Sequence, residues 1–188
     1  MFPPIPSWDA MHPLVVHFPV ALLLVAPILV ILGMLLPRQS RGLYIAAFVL
    51  MAIGTIATYV AVATGEAAGE LAERTPGVAA VLEGHQELAE TTRLIFTALT
   101  VIFAAILFAP LLFKRSLGHR SSLVLSLAFL LLYSAGALVL VNVAHQGGRL
   151  VHEFGVRAMV TAGQASGKPA RADTENRKQE QKREDHED

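Results

Sequence analysis

Met11-His12-Pro13-Leu14-Val15-Val16-His17-Phe18-Pro19-Val20-Ala21-Leu22-Leu23 opens a long apolar run and sets two imidazoles at its mouth. The run continues to Leu36 before Pro37 closes it. About 20 apolar residues cross the hydrocarbon of a bilayer as a helix, so residues 12–36 read as a membrane span. In hydrocarbon the backbone must satisfy its own hydrogen bonds, which leaves the helix as its form. Pro13 falls in a first turn, where a missing N–H costs little. Pro19 and Pro27 lie deeper and are expected to bend the helix. An imidazole at such an entrance is a polar group in a costly place and needs a partner.

Working outward, the same apolar signal recurs. The chain has 188 residues, 54% of them hydrophobic, with a mean hydropathy of +0.53. That is well above a soluble domain, and the apolar residues fall in blocks. Three further blocks predict spans at about 43–64, 91–113 and 122–145. The fold expected is all-α: an integral membrane four-helix bundle, with helical extensions at the outer face. Residues 1–11 are a proline-rich lead-in, with Trp8 suited to interfacial anchoring. Residues 12–160 form the transmembrane domain. Residues 161–188 are a tail of mixed Lys, Arg, Asp and Glu without large apolar groups, expected to be disordered.

Details within the blocks support helices. Gly54, Ala57, Ala61 and Gly65 are small residues at three- or four-residue spacing, which lets a neighbouring helix approach closely. Gly65 to Arg74 reads as an acidic, alanine-rich connector. Thr75-Pro76 has the form of an N-cap followed by a first helical residue. From there Val78, Val81, Leu82, His85 and Leu88 keep a helical period into the third span. After the fourth span, Asn142-Val143-Ala144-His145-Gln146-Gly147-Gly148-Arg149 leads to a renewed apolar pattern through Leu150, Val151, His152 and Phe154. Its glycine pair either breaks the helix or lets it pass close to another backbone.

Charge and cysteine content narrow the function classes. Fifteen basic and fifteen acidic residues balance to +0, so no global field points to nucleic acid. There is no cysteine, which excludes disulfides, cysteine-ligated iron–sulfur clusters and thiolate-linked haem. The N-terminus has no basic region and no small-residue cleavage site, so the first run is expected to be retained. No nucleophile elbow, HExxH pair or phosphate-binding glycine loop is present, which argues against a hydrolase. An electron-transfer protein or oxidoreductase subunit fits better than a stand-alone enzyme.

Topology brings the histidines together. Arg38 and Arg41 sit in one short loop, and Lys114, Arg115 and Arg120 in the other. The positive-inside rule makes both loops cytoplasmic, with both termini outside. His12, His17, His85, His145 and His152 then share the outer end, and only His119 of the spanning region lies at the inner end. By depth alone, one layer holds His17 with His145, and a more external one holds His12, His85 and His152. Facing imidazoles from separate helices of a bundle can clamp a flat macrocycle, here one or two haem b groups. Arg93 and Arg149 lie at the same level and suit haem propionates, although interface anchoring accounts for them equally. The same imidazoles would accept Zn²⁺ or Cu²⁺, and each ring taken singly is satisfied by a packing hydrogen bond.

The opening His12-Pro13-Leu14-Val15-Val16-His17-Phe18-Pro19-Val20-Ala21-Leu22-Leu23 resembles a bacterial family of four-helix membrane proteins catalogued as a domain of unknown function. Gly65 with its alanine-rich continuation, His85, and His145-Gln146-Gly147-Gly148-Arg149-Leu150-Val151 extend the resemblance over about residues 11–157. That family is related to two-haem transmembrane cytochromes b. The resemblance implies a bacterial inner membrane protein with ligands at His17, His85 and His145, joined by His12 and His152. It implies electron transfer between a quinol and a separate redox partner, since a cysteine-free chain carries no Rieske motif. Two alternatives stay open: a divalent metal-ion binding or transport protein, and a structural subunit of a membrane complex. Against transport, the second and third spans hold no acidic residue at mid-membrane depth.

Overall fold

The computed structural model describes residues 7–72, 77–114 and 118–156. A 3-10 turn, Asp9–Met11, leads into α1 (His12–Val15), α2 (His17–Leu35), α3 (Ser40–Ala72), α4 (Ala79–Leu112) and α5 (His119–His152). No strand occurs among the described residues. Four helical stretches are long and apolar enough to cross a membrane. The tail expected at 161–188 and the Thr75-Pro76 cap lie outside the described residues.

Proline shapes the first span in two ways. Pro19 carries no N–H, so the carbonyl of Val15 has no donor four residues on, and the helix breaks at Val16 between α1 and α2. Pro27 stays inside an unbroken α2. It withholds the same bond from the carbonyl of Leu23. The hydroxyl of Tyr133 on α5 replaces it, donating to Leu23 O at 2.6 Å. Tyr133 is only 1% exposed, so this bond forms where no water competes.

The remaining helices run past the expected span limits. α3 has 33 residues, about 50 Å at 1.5 Å per residue, against roughly 30 Å of hydrocarbon. The stretch expected as a connector, Gly65 onward, continues the helix to Ala72, because Ala, Glu and Leu favour it. α4 starts twelve residues ahead of position 91, at Ala79. α5 passes through Gly147 and Gly148 unbroken and ends at His152. Gly155, at φ +67°, then turns the chain. The bundle therefore extends beyond membrane length at the end where α3 stops and α4 begins.

Neighbours around the bundle are α2–α3, α3–α4, α4–α5 and α5–α2. The diagonals, α2 with α4 and α3 with α5, bring no Cα pair within 8 Å. Leu23, Ala26 and Val30 of α2 meet Met51 of α3 and the rings of Phe96, Phe129 and Tyr133 in one core. Phe96 and Tyr133 stack edge to face at 5.4 Å. Gly54 lies so close to α2 that a Cβ there would fall 2.8 Å from the Leu23 side chain. Between α3 and α4, Thr55 donates to Phe96 O at 3.3 Å and shares a 2.8 Å bond with Thr100.

The outer faces stay apolar. Leu131 is 67% exposed and Leu138 72%. Only 22–33% of each apolar window is buried within the protein. A bilayer solvates such faces at no cost, whereas water would not.

Candidate functional site

His12 enters the bundle because the 3-10 turn and α1 pack on α3. Its Nδ1 lies 2.9 Å from Ala61 O and 3.2 Å from Thr64 Oγ1. A carbonyl only accepts, so Nδ1 must carry the proton. The Thr64 hydroxyl spends its own proton on Val60 O at 2.9 Å or Ala61 O at 3.1 Å, which leaves its oxygen free to accept from His12. The ring lies against bare backbone: a Cβ on Gly65 would sit 2.9 Å from Cε1. With Nδ1 protonated, Nε2 carries the lone pair.

His85 arrives from the other side. It lies in the second turn of α4, on the apolar stripe with Val78 and Leu82. Those two pack with Ala72 and Leu150 in a small cluster at this end of the bundle. The Nδ1 of His85 donates to Val143 O on α5 at 3.1 Å. A Cβ on Gly147 would sit 3.1 Å from its Cε1. Again the carbonyl fixes the tautomer and Nε2 is left with the lone pair.

The two rings meet across the bundle diagonal. Their centroids are 6.4 Å apart and their planes cross at 84°. Both are partly buried. Residues 9–15 bring no Cα within 8 Å of α4 or α5, while α2 packs on α5. Chemically this is a pair of neutral imidazoles, each oriented by a backbone carbonyl and each offering one ring nitrogen. Metal-binding histidines are oriented in the same way.

The other histidines lie elsewhere. His17, His145 and His152 are exposed, and no ring contact between His17 and His145 occurs among the described residues. The rings brought together are therefore His12 and His85, one from each side; both belong to the outer layer expected from the sequence, whereas its third member His152, and the expected His17–His145 layer, are exposed. The side chain of His119 lies outside the described ones. Arg93 sits with its guanidinium carbon 5.4 Å from the centre of the Tyr59 ring. Arg149 is held on its own helix by Glu153, with Nε 3.0 Å from both carboxylate oxygens. That charge-assisted contact keeps the Glu153 carboxyl below the usual carboxylate range. Among the described residues no three histidine or carboxylate side chains gather around one point.

Residues that shape the site include some with no chemistry of their own. Ala61 and Val143 act through carbonyls, which every residue possesses. Gly65 belonged to the small-residue stripe and Gly147 to the glycine pair, so their positions were marked in sequence but their partners were not. Thr64 carried no signal that separated it from other threonines.

Comparison with known proteins places the chain by its family. The family model described as "Predicted membrane protein (DUF2231)" matches residues 9–159. No curated protein and no solved structure matches.

Proposed function

The chain belongs to the predicted membrane protein family DUF2231, and for it we propose a membrane-bound b-type cytochrome whose haem would be held by His12 and His85. The observation that carries this reading is the donor count. The pair supplies two imidazoles and no third donor among the described residues. A bare Zn²⁺ takes three or four protein ligands. Haem brings its own equatorial nitrogens and asks the protein for two axial ones. The spacing is compatible: two imidazoles sharing one metal through bonds of about 2.0–2.1 Å would have ring centres roughly 6 Å apart, and the centroids of His12 and His85 lie 6.4 Å apart.

Bound there, a haem would supply a one-electron couple. The chain's own residues do the rest. Ala61 O and Val143 O hold each imidazole as the Nδ1–H tautomer and make Nε2 a better donor. The Val78–Leu82–Leu150 cluster keeps this end apolar, which lowers the local dielectric around the couple. In this reading a lipid-soluble quinol would approach laterally beside residues 9–15, and a separate redox protein would take the electrons at the overhanging helix ends. The positive-inside rule places these ends outside a bacterial inner membrane.

Detergent-purified protein from a haem-replete host tests this. We expect a Soret band that shifts on dithionite reduction, at one haem per chain. His12→Ala and His85→Ala should each abolish it, whereas His17→Ala, His145→Ala and His152→Ala should retain it. A colourless preparation refutes the reading. Tight Zn²⁺ or Cu²⁺ binding in its place would favour the metal-ion alternative, and neither cofactor would favour a structural subunit.

A further inference from the structure

The two rings are held by one arrangement used twice. In the first hairpin, built from α1, α2 and α3, His12 is on the leading limb. It donates to the carbonyl of Ala61 on the returning limb, and its Cε1 fills the space a Cβ on Gly65 would need. In the second hairpin, built from α4 and α5, His85 is on the leading helix. It donates to the carbonyl of Val143 on the returning helix, and its Cε1 fills the space a Cβ on Gly147 would need. In both, the glycine follows the carbonyl by four residues, one helical turn. The same nitrogen donates in each, and the same carbon touches the glycine. The two leading helices are diagonal to each other, so the rings meet near the bundle axis.

We infer that the chain carries two copies of one ring-holding device, related by a pseudo-twofold axis through the histidine pair, and that Gly65 and Gly147 are its positioning residues. A methyl group on either glycine would stand 2.9 Å or 3.1 Å from Cε1, inside the ~3.5 Å of favourable carbon contact. The ring must then shift, which disturbs its hydrogen bond to the carbonyl or its place beside the opposite imidazole. The neighbouring Gly148 provides the contrast, because a Cβ there would meet nothing within 4 Å. The copies differ in one respect. The residue before Gly65 is Thr64, which gives His12 a second acceptor. The residue before Gly147 is Gln146, which instead accepts from Arg149 at 3.4 Å.

The placement of the rings needs no cofactor, and only the affinity measurement rests on the haem reading. The test is ¹⁵N NMR of the histidine rings in the haem-free, full-length protein, alongside haem titration. In the unsubstituted protein both rings should show a protonated Nδ1 and a bare Nε2. Gly65→Ala should shift the His12 signals and leave His85 nearly unmoved, and Gly147→Ala should do the reverse. Each should weaken haem binding by about 10–100-fold, the usual effect of disturbing a ligand's supporting contacts. Gly148→Ala should change neither signals nor affinity. An Nε2–H tautomer in the unsubstituted protein would overturn the device without any variant, whatever the variants' folding. So would a Gly147→Ala protein indistinguishable from Gly148→Ala. If the rings behave as expected but haem does not bind, the device stands and the cytochrome reading falls. If haem binds and the glycine substitutions leave rings and affinity alone, the reverse holds.

Discussion

Tyr133→Phe is the substitution whose cost the structure specifies most closely. The ring stays: its stacking on Phe96 at 5.4 Å and Phe129 at 5.7 Å is untouched. Only the hydroxyl that donates to Leu23 O is lost. That carbonyl has no helical donor, because residue 27 is proline. Leaving a buried acceptor unpaired costs about 1–3 kcal/mol, and side-chain hydrogen bonds between membrane helices average ~0.6 with a maximum of ~1.7 kcal/mol. We expect a loss of about 1–2 kcal/mol. The cause can be isolated. In a Pro27→Ala background the new alanine supplies the missing N–H. The same Tyr133→Phe change should then cost less than ~0.5 kcal/mol, and the coupling should be about 1 kcal/mol. The assay is reversible unfolding in mixed micelles of rising SDS fraction, followed by circular dichroism, on the four proteins of the cycle. An equal cost of Tyr133→Phe in both backgrounds would refute the reasoning and return Tyr133 to the role of a packing aromatic.

Two further predictions follow from packing and charge. Gly54→Ala should destabilise the protein in the same assay, because the new methyl would fall 2.8 Å from Leu23, whereas Gly84→Ala, with nothing within 4 Å, should be neutral or stabilising by up to ~1 kcal/mol through helix propensity. The chain has no native cysteine, so orientation is measurable without background: Glu153→Cys should react with a membrane-impermeant maleimide in intact cells, and Ser40→Cys only after permeabilisation, the opposite pattern reversing the topology.

The spans were legible because a block of about 20 apolar residues has few alternatives. That Pro19 and Pro27 disturb the first span was legible, since a proline withholds its N–H from the carbonyl four residues before it. Tyr133 as the replacement donor was not, because it is 110 residues away and depends on which face of α5 turns inward. The histidine grouping shows the same division. Depth along a helix can be read from residue number, and depth grouped His12 with His85, which do meet, but also added His152 to them and joined His17 to His145. Azimuth was the missing coordinate. His12 and His17 fall on either side of the break at Val16, and of the two His12 is partly buried while His17 is exposed. His145 and His152, seven apart, share a face, and Val143, Gly147 and Leu150 occupy the inward one. His85 was placed on the apolar stripe of its helix by spacing, and that stripe does turn inward.

The division of the histidine pair between the two halves of the chain has a consequence for biogenesis. The first hairpin can insert as soon as it leaves the ribosome, yet of the pair it holds His12 alone, already tied by one nitrogen to its own backbone. A two-point grip exists only once the second hairpin has been threaded into the bilayer and has closed against the first. Any guest shared by His12 and His85 is therefore acquired late, after synthesis has passed Gly147, and its capture would act as the latch that keeps the two halves from drifting apart in the lipid.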